Sequence, residues 1–317
     1  MALIPLNQQL PSTESTGPVD LPDDNPAIAY LLSLNSKRSR QTMFSFLTTV
    51  ARLFGFADIK TCEWSLLRRF HVQAVIEMLN DAGKAPATIN TYLSALKGVA
   101  YEAWTLKVID TESYQHIKHV RSVKGSRLPP GRALTRHEIA ELLGHCQADD
   151  SAKGIRDSGI FALLLGCGLR RSEIVALDID HIDFSDNSLK ILGKGNKERL
   201  AFVPDSAWKR LMCWISLVRG KTPGPLFYRI RRHNDITQER LTDQAIYYLL
   251  ETRCTAAGID KCSPHDLRRT YASMLLDNGE DLITVKDAMG HESIMTTQKY
   301  DRRGNERLKK AERKSVV

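Results

Sequence analysis

The stretch SLKILGKGNKERLAFVP, residues Ser188–Pro204, reads as two short apolar strands around a Gly/Asn/Lys turn, a β-hairpin. Its surroundings read as helix. A buried helix is expected over about 155–166, and RRSEIVAL (Arg170–Leu177) carries a short one. Further helices are expected over about 205–219, 242–257, 264–278 and 281–289. One hairpin among so many helices predicts a mainly α domain with a small antiparallel β-sheet, placed at 134–302.

The chain before it patterns differently. In SRQTMFSFLTTVARLFGF (Ser39–Phe56), Phe44, Leu47, Ala51 and Phe54 recur at helical spacing. In PATINTYLSALKGVAYEAW (Pro86–Trp104), Ile89, Leu93, Leu96 and Ala100 do the same, with Pro86 at the start. These predict an N-terminal helical bundle over 25–119. VRSVKGSRLPPGRALT (Val120–Thr135) is polar and broken by Gly and Pro, so 120–133 reads as a linker. Thr135 and Glu138 then have capping-box spacing for the next helix. Residues 1–24, rich in Pro, Ser and Thr, read as a disordered leader, and 303–317 as a C-terminal tail.

Length and composition fit this division. The chain has 317 residues, 42% hydrophobic, enough for two packed domains. The net charge of +8 is unevenly spread: residues 1–36 hold four acids and no Lys or Arg, whereas 37–133 hold fifteen Lys/Arg against seven acids. A field of that density over the helical bundle favours a polyanion as partner. The longest apolar run, IFALLLGCGL (Ile160–Leu169), is too short to span a bilayer, so no membrane partner is expected. Six cysteines without a C-x-x-C pair suggest a reduced, cytoplasmic protein. Cys254, Cys262 and His265 lack the fourth partner and spacing of a metal site, so no metal or other cofactor is expected.

Four segments of the second domain carry polar chemistry. GCGLRRSEIVAL holds Arg170 and Glu173 three apart on one helical face, between apolar runs that place part of it inside. A buried arginine needs a carboxylate or phosphate partner. The hairpin tip offers Lys194, without the spacing of a nucleotide-binding loop. SPHDLRRTYASMLL puts His265 and Arg268 on one side of a helix, with Leu267, Tyr271, Met274 and Leu275 as its apolar face. In MGHESIMTTQKY, Met289 and Gly290 end a helix, His291 follows, and Tyr300 ends a short helix with Thr296 and Thr297. Each segment alone has a plain structural explanation. Together they supply two guanidiniums that can grip a phosphate, a lysine and two histidines that can move protons, and a phenol that can act as a nucleophile.

The ordered set GLRRSE (Gly168–Glu173), GKGNKER (Gly193–Arg199), HDLRRTYAS (His265–Ser273) and GHESIMTTQKY (Gly290–Tyr300) resembles the tyrosine recombinase, or phage integrase, family. ATINTYLSALKGVA (Ala87–Ala100) is similar to that family's helical DNA-clamping domain. Cys167 stands where Thr or Ser is common and Met289 where Leu is common; the acidic leader has no counterpart.

The resemblance implies a mixed α/β catalytic domain of tyrosine-recombinase type and site-specific DNA strand exchange through a 3′-phosphotyrosyl intermediate. Arg170, Lys194, His265, Arg268, His291 and Tyr300 would be its catalytic residues, with Glu173 in support. Tyr300 would be the nucleophile, Arg170, Arg268 and His291 would hold the phosphate, Lys194 would protonate the leaving oxygen, and His265 would take the phenolic proton. It also implies double-stranded DNA recombination sites as partners and a homotetramer on two sites, assembled by handing the tail to a neighbouring protomer. Accessory proteins, and the choice among integration, excision, and dimer or transposon resolution, stay open, as does a mobile-element setting. A type IB topoisomerase-like enzyme that relaxes DNA and a non-catalytic DNA-binding protein are the alternatives. Candidate base readers lie on the helix with Asn90, Thr91 and Lys97, and around Arg229–Arg232.

Overall fold

Asn25 caps the first helix by accepting from the backbone N–H of Ala27 and Ile28 at 3.0 and 3.2 Å, with Pro26 at the first helical position. The computed structural model describes residues 25–125, 131–193, 197–298 and 300, and the chain divides at Leu128–Pro129 into two compact units. The leader, the linker residues 126–130, Lys194 and the tail lie outside the described residues.

The first unit comprises α1 (Pro26–Ser33), α2 (Lys37–Leu53), α3 (Arg69–Asp81), α4 (Pro86–Thr105) and α5 (Thr111–Lys118). α4 is its axis: Ile89, Leu93, Leu96 and Ala100 are buried as the periodicity predicts, joined by Val99 and Ala103. Gly98 lets α1 come close, since a Cβ there would lie 2.1 Å from the Tyr30 ring. On α2 the buried stripe is Leu47, Val50 and Ala51. Phe44 faces outward, because the aromatic that packs inward is Phe46, stacked on Tyr92 with centroids 4.2 Å apart.

Asn90 and Lys97, candidate base readers by sequence, also make contacts within their own unit. Asn90 donates to the Val123 carbonyl and accepts from the Val123 N–H, and Lys97 donates to the Val120 carbonyl at 2.7 Å. The chain beyond α5 is thereby laid along α4, and Thr91 donates back to the Ala87 carbonyl within the helix.

In the second unit, Gly131 and Arg132 already rest on the body. The Gly131 carbonyl accepts from Arg269, and the Arg132 N–H donates to Asp266. α6 (Arg136–Gln147) opens with the capping box of Thr135 and Glu138. α7 (Ala152–Cys167) is buried along most of its length and is the core helix of this unit. It buries ions as well as hydrocarbon: Arg156 and Asp157 pair at 2.8 Å, and Arg253 reaches Asp157 at 2.9 Å.

α8 (Arg171–Ala176) leads into a three-stranded antiparallel sheet, β1 (Ile182–Asp183), β2 (Ser188–Leu192) and β3 (Glu198–Phe202), in which the hairpin register pairs Leu192 with Glu198. α9 (Asp205–Trp214) continues as a wider turn through Arg219. A second antiparallel pair, β4 (Tyr228–Ile230) and β5 (Ile236–Arg240), goes beyond the one hairpin that the sequence predicts. The Arg229–Arg232 stretch runs from β4 into the turn between the two strands, where Arg229 and Arg231 both pair with Glu239.

α10 (Asp243–Ala256), α11 (Pro264–Asp277), α12 (Leu282–Met289) and α13 (Ile294–Gln298) complete the unit. On α11 the buried apolar residues are Leu267, Ala272 and Leu276; Tyr271, Met274 and Leu275 lie half-buried along the edge, because Arg268 and Arg269 take the inward positions beside Leu267. Cys254 and Cys262 face one another with Sγ atoms 3.2 Å apart, while His265 turns its Nε2 to Tyr300. Among the described residues no helix is long and apolar enough to cross a membrane.

Candidate active site

The site begins where α7 ends. Gly168 adopts φ +58°, so the chain reverses and presents Arg170 as the N-cap of α8. A side chain at 168 would strike the Tyr271 ring, 2.2 Å from its Cβ. Glu173, one turn on, folds back: its Oε2 accepts the Arg170 backbone N–H at 2.8 Å, and its Oε1 takes Arg170 Nη1 at 2.5 Å. Glu173 is buried, and a second guanidinium reaches it from β3, Arg199 Nη2 at 3.1 Å from Oε2. Burial pushes the Glu173 carboxyl up, but the Arg170 N–H and the Arg199 and Arg170 charges outweigh it, so the pKa falls below the ordinary range.

The second part is the end of α12. Gly290 caps that helix in the left-handed region, φ +61°. The last carbonyls of the helix meet three arginines in order. Ala288 O accepts from Arg199 Nε at 3.3 Å, Met289 O from Arg268 Nη2 at 2.6 Å, and Gly290 O from Arg170 Nη2 at 2.9 Å. Cations at a helix C-terminus meet the negative end of its dipole. Arg268 Nη1 also donates to the Gly168 carbonyl, so one side chain ties the ends of α7 and α12 together. Burial, and then the nearby Arg170 charge, bring the Arg268 pKa down to about 10.

His291 follows Gly290 and is buried, its Nδ1 2.9 Å from Thr297 Oγ1 on α13. Desolvation and the positive charges of Arg268 and Arg170 push its pKa down to about 4. Tyr300 lies just beyond α13. Its hydroxyl is 3.0 Å from His265 Nε2, its ring stacks near His291 with centroids 6.0 Å apart, and Arg269 sits 5.7 Å from its centroid. Burial raises the phenol pKa, against the pull of Arg268, Arg269 and Arg170. His265 keeps one side open to solvent, yet desolvation of the rest and the Arg269 and Arg268 charges lower its pKa.

The second unit therefore gathers Arg170, His265, Arg268, His291 and Tyr300 around the ends of α7 and α12. Lys194 lies outside the described residues, but the hairpin arm beside it runs past His291: Lys197 pairs with Glu292 at 3.1 Å. Three side chains of the cluster lie outside the set expected to be catalytic: Arg199, Arg269 and Thr297. The sign of Arg199 is its register, since it alternates with exposed Leu200 and shares a strand face with buried Ala201.

A mainly helical unit that sets guanidiniums and imidazoles around one phenol defines a class of enzyme, and comparison with known proteins agrees. Residues 132–307 match the phage integrase family, and residues 28–104 match the phage integrase N-terminal SAM-like domain. Tyrosine recombinase XerD of Lacticaseibacillus casei is 34% identical over 245 residues, 75% of this chain and 79% of the relative. Tyrosine recombinase XerC of Corynebacterium glutamicum is 32% identical over 242 residues, 73% of this chain and 72% of the relative. The fold is shared with XerH site-specific recombinase bound to a palindromic difH substrate, TM-score 0.63 at 22% identity, over 90% of this chain and 94% of that one. It is also shared with a lambda integrase dimer bound to a COC′ core site, TM-score 0.64 at 17% identity, over 87% and 93% of the two chains. The chain belongs to the phage integrase family and is a tyrosine site-specific recombinase.

Proposed function

We propose that Tyr300 cuts and rejoins duplex DNA at specific recombination sites through a covalent 3′-phosphotyrosyl intermediate. The observation that carries this reading is the 3.0 Å contact between the Tyr300 hydroxyl and His265 Nε2, at a helix end where Arg170 and Arg268 are already held. The Tyr300 oxygen forms a bond to phosphorus and the bond to the 5′-oxygen breaks. His265, kept neutral by its surroundings, takes the phenolic proton at Nε2. Lys194 gives a proton to the departing 5′-oxygen. One phosphate ester replaces another, so strand exchange runs without ATP.

Charge on the phosphoryl oxygens grows in the transition state, and Arg170 and Arg268 meet it. A guanidinium has five N–H donors. Those bonded to carbonyls and to Glu173 orient each fork, leaving others for the phosphate. Donors fixed in this way are worth about 10²–10³ in rate each. In the tautomer whose Nδ1 accepts the Thr297 hydroxyl, His291 carries its proton on Nε2 and adds a third donor. Four protomers would act on two DNA sites, with the tail of each on its neighbour; accessory proteins would be additional.

The test uses a pool of nicked duplexes of randomised sequence, from which SDS-resistant protein–DNA adducts are captured and read. Wild-type protein is expected to form adducts on a defined sequence, and Tyr300→Phe to form none while retaining DNA affinity. Adducts that survive Tyr300→Phe overturn the assignment.

A further inference from the structure

Glu173 raises a charge problem for the site. It is 4% exposed, its carboxylate touches Arg170 at 2.5 Å, and Arg170 is meant to meet a phosphate. A buried carboxylate that close offsets much of the guanidinium's charge, because Glu173 itself is shut off from water although 35% of the Arg170 side chain is open to it. Taken as a pair, Arg170 and Glu173 are neutral. The structure supplies a third member: Arg199, from β3, lies 3.1 Å from the other carboxylate oxygen. With it, the group Arg170–Glu173–Arg199 carries one net positive charge. Arg199 also donates to the Ala288 carbonyl, and its Cδ lies 3.0 Å from where a Cβ on Gly290 would stand, against the backbone that leads into His291.

We infer that Arg199 is a positioning residue for strand cleavage: as counter-cation to Glu173 it leaves the charge of Arg170 available to the scissile phosphate. The inference rests on the reading of Tyr300 and Arg170 given above. Arg199 itself touches no reacting atom. Its side chain is held on the inner face of β3, 13% exposed, and its guanidinium is engaged by Glu173 and Ala288. An ordinary buried ion pair would place the same atoms in contact, so the test must separate charge from shape.

Single-turnover cleavage of the duplex recovered from the randomised pool is measured for Arg199→Gln, Arg199→Lys, Glu173→Gln and the Glu173→Gln/Arg199→Gln double variant, with a melting temperature for each. Arg199→Gln is expected to slow cleavage about 10²-fold, with DNA affinity unchanged. Arg199→Lys keeps the cation but cannot span both Glu173 and the Ala288 carbonyl, and is expected to cleave faster than Arg199→Gln, within about tenfold of wild type. Once Glu173 is neutral no counter-cation is needed, so adding Arg199→Gln to Glu173→Gln should cost about threefold or less. Gln at 173 still accepts the Arg170 N–H, which preserves the cap. If the second substitution costs as much in the Glu173→Gln background as in wild type, Arg199 acts through shape and the inference is overturned. Should Arg199→Gln not fold, the double variant compared with Glu173→Gln decides alone. A wild-type protein that forms no Tyr300 adduct sinks this inference together with the reading it rests on. A wild-type adduct with Arg199→Gln at full speed sinks this inference only.

Discussion

His291 shows how strongly its neighbours govern a side chain. Unfolded, its imidazole takes a proton near 6.5; folded, shut off from water and beside Arg268 and Arg170, only at about 4. Between those values the unfolded chain binds more protons than the folded one, so stability falls as pH falls. The melting temperature is expected to drop as pH is lowered from about 6.5 towards 4, and His291→Gln to remove part of that slope; equal slopes for the two proteins would show that His291 is protonated in the fold. His265, also lowered, adds in the same direction. Residue types of this kind are legible in a sequence because few structural roles call for His, Arg and Tyr at those intervals. Arg199 was not legible. It stands beside Lys197 and Glu198, where a charge run reads as solvated surface, and only the pairing of β3 with β2 shows that it turns inward.

Two elements differ in how openly the sequence declares them. The β2–β3 hairpin announces itself, with apolar residues on both arms and Gly at the turn. The β4–β5 pair does not: YRIRRHNDITQER (Tyr228–Arg240) is charged throughout, β5 buries almost nothing, and the turn places His233 and Asn234 at φ +58° with no glycine. Tertiary contact rather than local pattern makes that sheet, for Arg240 reaches the Val175 and Leu177 carbonyls and Asp178. The turn between α7 and α8 is a strict element. Gly168→Ala meets both a positive φ and the Tyr271 ring 2.2 Å from its Cβ. Left-handed strain and overpacking together are expected to cost about 2–4 kcal/mol, read as a lower denaturation midpoint at unchanged m-value. A midpoint equal to wild type would mean that α7 can end in another way.

The whole molecule carries its charge unevenly, and the last segment continues the trend: 302–317 holds seven Lys/Arg against two Glu. If that tail docks on a neighbouring protomer, deletion of 304–317 lowers the number of protomers per DNA pair, measured by light scattering on site-bearing duplex. Unchanged assembly and unchanged recombination would count against it. The two-unit plan could be read from patterning because each unit repeats its own periodicity. The α12 terminus could not, because its meaning lies in contacts between residues as much as 120 positions apart. That terminus has a further effect. Arg170, Arg199 and Arg268 are all registered on three consecutive carbonyls, and His291 hangs from the next residue. The flank of α12 is accessible, with Ile283 62% exposed. A neighbour leaning on that flank would tilt every one of these groups together, so competence would be all-or-none. Paired substitutions at Arg170 and Arg268 would lose far less than the sum of their separate losses, because the first already dismantles what the second would remove.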